Sequence, residues 1–469
     1  PTCHDRGSML NLRNGWQNRP LNWCMKVSQR AGIALILAVL APSLKAQEMV
    51  TLNQVIQLSL EKDYGIHLAQ NALSAAETDD QYSFGALLPR IEAVASKTWN
   101  NNNQRQVLPD NTERRRDGIK SENISASAQL QWLLFDGTRM FAARERIAEI
   151  AEQGELLLRD QIVNTVASVI NNYYFIVALK QQLKATQEQM AVSEERVKLA
   201  ELKLEVGTGG KPELLQAKID LNSQRRQVVE QRTAIRQVKD QLNGLVGMQL
   251  PADFDVADTI VIDLSLDREE IISEISRRNF ELQALKKNID ISNLTIRERK
   301  GELYPFLYFN SNYNFSRTEN EVAINNFTPL FNQNRGFNYG FSLTFPILNG
   351  FDARRRVRLA HIDAQRQQII YDQRQTEVLI EANNAFDNYH NAREVMRISE
   401  ETVALARENV HIALEGFKRG VTTFIELRTA QISLESAYTE LITARYNAKV
   451  AETELLRLCG RLVQAVPEG

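Results

Sequence analysis

The sequence predicts a mainly α chain with a small β part: two long helical hairpins and four short strands. Three observations carry that expectation. Gly (21) and Pro (11) are scarce and clustered in the 469 residues, so breaks in regular structure are few. Apolar residues recur at helical spacing through two proline-free stretches, about 139–205 and 353–419. A shift of 213 positions lays one half of the chain on the other without a gap, pairing Gly137 with Gly350, Gly207 with Gly420, Leu214 with Leu427, Ala217 with Ala430 and Gly247 with Gly460. Helical phase kept over so long a match means two copies of one hairpin.

At the N-terminus, Lys26 and Arg30 precede the apolar run Ala31 to Ala41, and Leu44-Lys45-Ala46 closes the segment. A charged start, a short apolar core and small residues at the end read as a secretory signal at 25–46, cut after Ala46. The apolar run is too short to span a bilayer as a helix. Residues 1–24, upstream of Met25, read as a non-native or misannotated extension and stay outside the fold argument. The residue after the cut is Gln47 rather than Cys, so no lipid anchor is expected. The exported chain keeps Cys459 alone and has no internal disulfide. It carries 50 basic and 57 acidic residues, a net charge of about −7, without an extended basic run, which excludes a nucleic-acid binder.

Residues 47–250 form the first repeat: helical patterns from Leu52 to Leu87, strands at about 90–100 and 123–135, a long helix at 139–205 and a return helix at 213–246. A linker, 251–267, leads to the second repeat, 268–460. There the helical pattern covers Arg268 to Leu303, the strands about 306–317 and 337–347, the long helix 353–419 and the return helix 426–459, before a tail at 461–469. At about 1.5 Å per residue each long helix reaches roughly 100 Å. Helices this long, apolar on one stripe and rich in Gln, Glu, Arg and Lys elsewhere, belong in a coiled-coil-like assembly rather than a globule. The short helices can stack end to end on the return helices.

The turn Gly207-Thr208-Gly209-Gly210-Lys211 raises the possibility of a phosphate loop. Such a loop needs a preceding strand and the spacing G-x-x-x-x-G-K-[ST]. Here a helix precedes, Pro212 follows Lys211, and the second copy, Gly420-Val421-Thr422-Thr423, has no Lys. A mechanical bend fits better: Gly207 or Gly420 ends one helix, and Pro212 suits the first turn of the next.

Between the short and long helices of each copy the period switches to two. Ile124, Ala126, Ala128, Leu130, Trp132 and Leu134 alternate with Ser and Gln. Leu307, Phe309, Tyr313 and Phe315 alternate with Asn and Ser, as do Phe337, Tyr339, Phe341, Leu343 and Phe345 with Asn, Gly, Ser and Thr. Strands of 10–12 residues with one aromatic and one uncharged polar face fit tilted outer-membrane strands around a water-filled lumen. The lipid-facing set is then Leu130, Trp132, Leu134, Phe309, Tyr313, Phe315, Phe337, Tyr339, Phe341, Leu343 and Phe345. The segments joining each strand pair read as long polar loops. Four strands cannot close a barrel and an open edge is not tolerated in lipid, so several chains must share one. Two chains give eight strands and three give twelve.

The two-copy layout, the glycine turn followed by "FIELRTAQISL" and the later Ala444-Arg445-Tyr446-Asn447 resemble the TolC-like outer-membrane efflux proteins over 48–460. The resemblance implies a homotrimer with a twelve-stranded barrel above a periplasmic helical tunnel. It implies a passive exit duct of an efflux or type I secretion system, docking with a periplasmic adaptor and an inner-membrane pump or ABC exporter. It places adaptor docking and the tunnel constriction at Gly207, Thr208, Gly209 and Gly210 and at Gly420, Val421, Thr422 and Thr423. Glu213 and Glu426 stand where relatives carry an acidic residue. In a ring at a constriction they would favour cations; alternatively each stabilises the first turn of its return helix. Thr422 and Thr429 replace a gating Arg and a second acid of some relatives, so that closure network does not carry over.

His4, His67, His361, His390 and His411 make no H-x-x-x-H pair, and no nucleophile motif stands out. No metal, cofactor or catalytic residue is therefore assigned. A periplasmic adaptor would need soluble β-domains beside its hairpin, and a coiled-coil structural fibre would need sustained heptads.

Overall fold

The computed structural model describes residues 49–263, 265–323 and 328–463, so the signal segment, the extension before it and the end of the tail lie outside the described residues. The first copy holds α1 (Leu52–Lys62), α2 (Tyr64–Tyr82), β1 (Arg90–Val107), β2 (Glu113–Phe135), α3 (Arg139–Glu205) and α4 (Lys211–Leu245). The second holds α5 (Arg268–Arg278), α6 (Phe280–Gly301), β3 (Phe306–Asn320), β4 (Phe331–Thr344), α7 (Asp352–Lys418) and α8 (Phe424–Leu458).

The repeat is visible residue by residue. The ends of α7 and α8 fall 213 positions after those of α3 and α4. The left-handed backbone positions repeat at the same spacing: Gly137 and Gly350, Thr138 and Phe351, Gly207 and Gly420, Gly247 and Gly460. Before the strands the spacing is 216: α1 and α5 are both 11 residues long, and the N-caps Asp63 and Asn279 accept from Ile66 and Leu282 backbone N–H at 2.9 Å each. The three-residue difference therefore falls between the starts of α2 and α3 and their equivalents, across the strand region.

Helix bounds differ slightly from the sequence reading. α4 starts at Lys211 rather than 213, because Pro212 occupies its first turn. α8 starts at Phe424 rather than 426, because Thr423 and Glu426 close a capping box there. α7 spans Asp352–Lys418 against an expected 353–419, and both return helices stop one residue early, at Leu245 and Leu458.

The strands differ more. β1 and β2 run on to Val107 and back from Glu113, so the expected long loop shrinks to the turn 108–112. Alternation could not reveal this extension, because Asn, Gln and Arg occupy both of its faces. β4 begins at Phe331 and stops at Thr344 rather than 347; Pro346 lies two residues on and has no N–H for a ladder. The sheet is antiparallel in the order β1-β2-β3-β4, and neither β1 nor β4 has a second partner among the described strands.

The helices form one layer in the same order. α3 is bordered on one side by α2 and then α4, through Gly154 against Leu73 and Arg196 against Asp220. On its other side lie α6 and then α8, through Lys287 to Glu149 (2.7 Å) and Gln182 to Thr439 (3.1 Å). α7 packs outside α6 and α8, through Arg374 to Glu281 (2.7 Å) and Arg445 to Glu400 (2.8 Å). Gly247 meets Lys62, and Gly460 meets Arg278 and Phe280, so each return helix ends where a short helix begins.

The cores fill the helical seams. One joins Val55, Val166, Val169, Ile176, Leu242 and Phe254; its counterpart joins Ile271, Ile275, Val378, Tyr389, Leu455 and Leu458. The segment 251–263 is strapped across the helices. Lys180 Nζ donates to Val256 O (2.8 Å) and pairs with Asp255 (2.7 Å), and Tyr389 Oη donates to Asp263 O. Tyr173, 2% exposed, donates to Val50 O (3.0 Å) and accepts from Ala257 N–H (3.2 Å). Removing that hydroxyl takes a partner from one buried and one half-buried backbone group. Tyr173→Phe is expected to cost about 1–3 kcal/mol, read as a lower denaturant midpoint with earlier proteolysis at 251–258; an unchanged midpoint would show that the strap is not held there.

Candidate channel surfaces

The register sorts the sheet into two faces. Rows across it read Leu307 and Leu343; then Trp132, Phe309 and Phe341; then Ile91, Leu130, Ser311 and Tyr339; then Ala93, Ala128, Tyr313 and Phe337. Phe309 and Phe341 stack across strands at 5.2 Å between ring centroids. The opposite face reads Gln131, Asn310 and Gly340; Gln129, Asn312 and Asn338; Ser127, Asn314 and Gly336; Ser125, Ser316 and Asn334. Phe337, Tyr339, Phe341 and Leu343 are 62–72% exposed, an apolar surface that water does not favour.

Two residues of the expected aromatic face fall outside its rows. A bulge between Leu133 and Phe135 puts Phe135, not Leu134, opposite Leu307, because one extra residue inverts the parity of a strand. Phe345 lies just past the end of β4 and belongs to no row.

At the far end of the helices the two turns share one geometry. Thr208 and Gly209 N–H both donate to Lys203 O at 2.9 Å; Val421 and Thr422 N–H donate to Gly416 O at 2.9 and 3.2 Å. Gly207 (φ +76°) and Gly420 (φ +77°) supply the left-handed position that ends each helix. The two copies differ in which side of the turn is small. A Cβ on Gly209 would lie 2.8 Å from Lys203 Cβ, and one on Gly416 would lie 2.1 Å from Thr422 Oγ1. Lys203 and Gly416 are equivalent positions, as are Gly209 and Thr422, so each turn needs glycine at one of the two.

Glu213 and Glu426 are equivalent in sequence but not in setting. Glu426 accepts from Thr423 N–H at 2.7 Å while its own N–H donates to Thr423 Oγ1 at 3.2 Å. The first of these bonds holds its carboxyl below the ordinary carboxylate range. Glu213 sits in the first turn of α4 behind Gly210, which offers no side-chain cap.

Sequence reasoning missed the ionic link just behind the turns. Arg196, 1% exposed, donates to Asp220 Oδ2 (2.7 Å), which also accepts from Arg428 Nε (3.0 Å). Gln216 donates to Asp220 Oδ1 (2.8 Å), and the Arg196 guanidinium lies 5.0 Å from the Phe424 ring centre. Burial pulls the Arg196 guanidinium below its ordinary value, and Asp220 opposes it. One carboxylate thus ties α3, α4 and α8 together, and Lys203 Nζ donating to Phe417 O (2.9 Å) adds α7. The signal was a charge within the buried stripe Gln189, Ser193, Arg196, Val197 and Ala200.

The sequence model of the family described as "Outer membrane efflux protein" matches residues 55–248 and 271–461, one stretch for each repeat. The chain is 23% identical to the alkaline protease secretion protein AprF of Pseudomonas aeruginosa over 421 residues, covering 86% of this chain and 84% of that one. It is 22% identical to the outer membrane protein TolC of Escherichia coli over 393 residues, covering 80% and 75%. The crystal structure of the CmeC outer membrane channel of Campylobacter jejuni superposes with a TM-score of 0.75 at 16% identity, covering 87% of this chain and 85% of that one.

Asp220→Asn leaves Arg196 buried without its carboxylate and is expected to cost about 3–5 kcal/mol, seen as a lowered unfolding midpoint with cleavage beginning at the glycine turns. Because its folded pKa lies below the unfolded value, Glu426 contributes cap stability that is complete above about pH 4.3 and is lost as pH falls through the folded pKa. Amide protection at the start of α8 should therefore fall as pH drops below the ordinary carboxylate range, relative to Thr423→Ala, in which the box is already broken; identical pH dependence in both would refute the assignment.

Proposed function

The chain belongs to the outer membrane efflux protein family, and on that premise we propose how it works. It is an outer-membrane channel, the exit duct of an efflux or secretion system. Three copies close one ring, their sheets joined β1 to β4 into a twelve-stranded barrel and their helical layers joined edge to edge into the tunnel below. The aromatic face, with Phe135 in place of Leu134, meets lipid, and the Asn/Ser/Gln face lines the water-filled passage. Solute passes without any residue acting chemically on it.

The observation that carries this reading is that sheet and helical layer run in the same order and both stop at open edges. Along the free side of α7, Ile398, Leu405 and Ile412 follow at seven-residue intervals and are 55–62% exposed. That is half of a coiled-coil seam, and a second copy supplies the other half. The glycine turns, Gly207 to Gly210 and Gly420 to Thr423, are the periplasmic end, where an adaptor helical hairpin docks and connects the duct to an inner-membrane pump or ABC exporter. Glu213 and Glu426 narrow that end with negative charge. The Glu426 capping box supports the helix-stabilising role for that residue, which is compatible with a place in the ring because the cap also keeps the carboxylate ionised.

The mass of the detergent-purified particle, with detergent subtracted, tests the reading: three chains are expected. A stable monomer would leave two strand edges open in lipid and overturn it.

A further inference from the structure

One charged feature of the sheet stands apart from its aromatic and uncharged polar faces. Arg114, Arg115 and Arg116 stand in sequence near the turn end of β2. Arg116 lies opposite Gln104 and Arg114 opposite Gln106, which follow Thr98, Asn100 and Asn102 along the polar face of β1. Arg115 lies opposite Arg105 on the other face. Three acids near this end are engaged elsewhere: Glu113 with Arg105 at 2.6 Å, Asp117 with Arg115 at 3.4 Å and Glu321 with Lys120 at 3.7 Å. Asp110, in the turn, accepts from Thr112 N–H at 3.1 Å; that bond and then the charge of Arg114 hold its carboxyl below the ordinary range, so it stays ionised and offsets part of the field of Arg114. Arg116 donates to Ala323 O at 3.2 Å, and among the described residues neither Arg114 nor Arg116 is in an ion pair.

Below them the polar face carries no charge until Glu92 and Arg90, which lie 3.9 Å apart at the helix end. Glu92 is 14 residues from Gln106, roughly 48 Å along the strand, against a screening length of about 10 Å at 0.1 M salt. The far pair therefore leaves the field of the two arginines intact.

We propose that Arg114 and Arg116 form a basic collar at the outer mouth of the channel, which favours passage of anions over cations. The proposal rests on the reading of the polar face as the wall of a closed barrel. In a ring of three copies the collar carries six guanidiniums around one opening, and low-dielectric walls concentrate its field there. Its sign is opposite to that of a Glu213 and Glu426 ring at the other end, so the two mouths select differently.

The test is ion selectivity of the purified channel in a planar bilayer under a KCl gradient. Arg114→Gln with Arg116→Gln is expected to raise the potassium-to-chloride permeability ratio about threefold at 0.1 M salt, with the difference fading near 1 M, where screening shortens to about 3 Å. Arg114→Lys with Arg116→Lys should keep the wild-type ratio, and Arg115→Gln, on the other face, should leave it unchanged. An unaltered ratio in the double Gln variant, with normal channels, would overturn the collar alone. An equal shift in Arg115→Gln would overturn the register argument behind it. Wild-type protein that opens no channel would overturn the duct and the collar together.

Discussion

A sheet placed in lipid must satisfy every backbone N–H and C=O within protein, and in this chain the outer edges of β1 and β4 have no strand partner among the described residues. Everything else in the molecule is arranged around that requirement. The strands are amphipathic in the sense needed for a wall, aromatic on one side and Asn, Ser and Gln on the other. The helical layer beneath keeps the same order and ends at edges on the same two sides. On the proposed reading, closure by further copies satisfies strand edges and helical seams in one operation, so neither layer needs an internal solution.

Duplication gives the tunnel its regularity and also its asymmetry. Helix ends, left-handed caps and N-cap residues recur at fixed spacing, so both hairpins have one length and reach one level. Within that frame the side chains have diverged in pairs. Where one turn has Lys203 against Gly209, the other has Gly416 against Thr422, because only one member of each pair has room for a side chain. One return helix starts with a capping box and the other with a glycine cap and a proline in the first turn. Asp220, Arg196 and Arg428 then join the unlike hairpins, a buried charge group whose members depend on each other. The two tips are thus built alike but held differently.

Much of this is legible in the sequence. The 213-residue shift fixes two hairpins and their turns, since conserved helical phase has no other reading. Alternation of Tyr and Phe with Asn in β3 and β4 fixes two faces, since a strand projects successive side chains to opposite sides. Alternation failed where both faces are polar, from Asn101 to Lys120, and the strands there are longer than their pattern. It also failed at Leu134, where a bulge of one residue exchanges the faces without leaving a mark in composition.

What the sequence determined by itself is local and periodic: helix phase, strand parity, glycine turns and the repetition of all three. What only the tertiary structure decided is which residues distant in the chain meet. Arg196 and Arg428 are 232 positions apart and share one carboxylate, and β2 joins β3 across the boundary between the repeats. Periodicity records how one element faces its surroundings. The identity of the neighbour depends on how the two copies pack, and a one-dimensional pattern does not carry it.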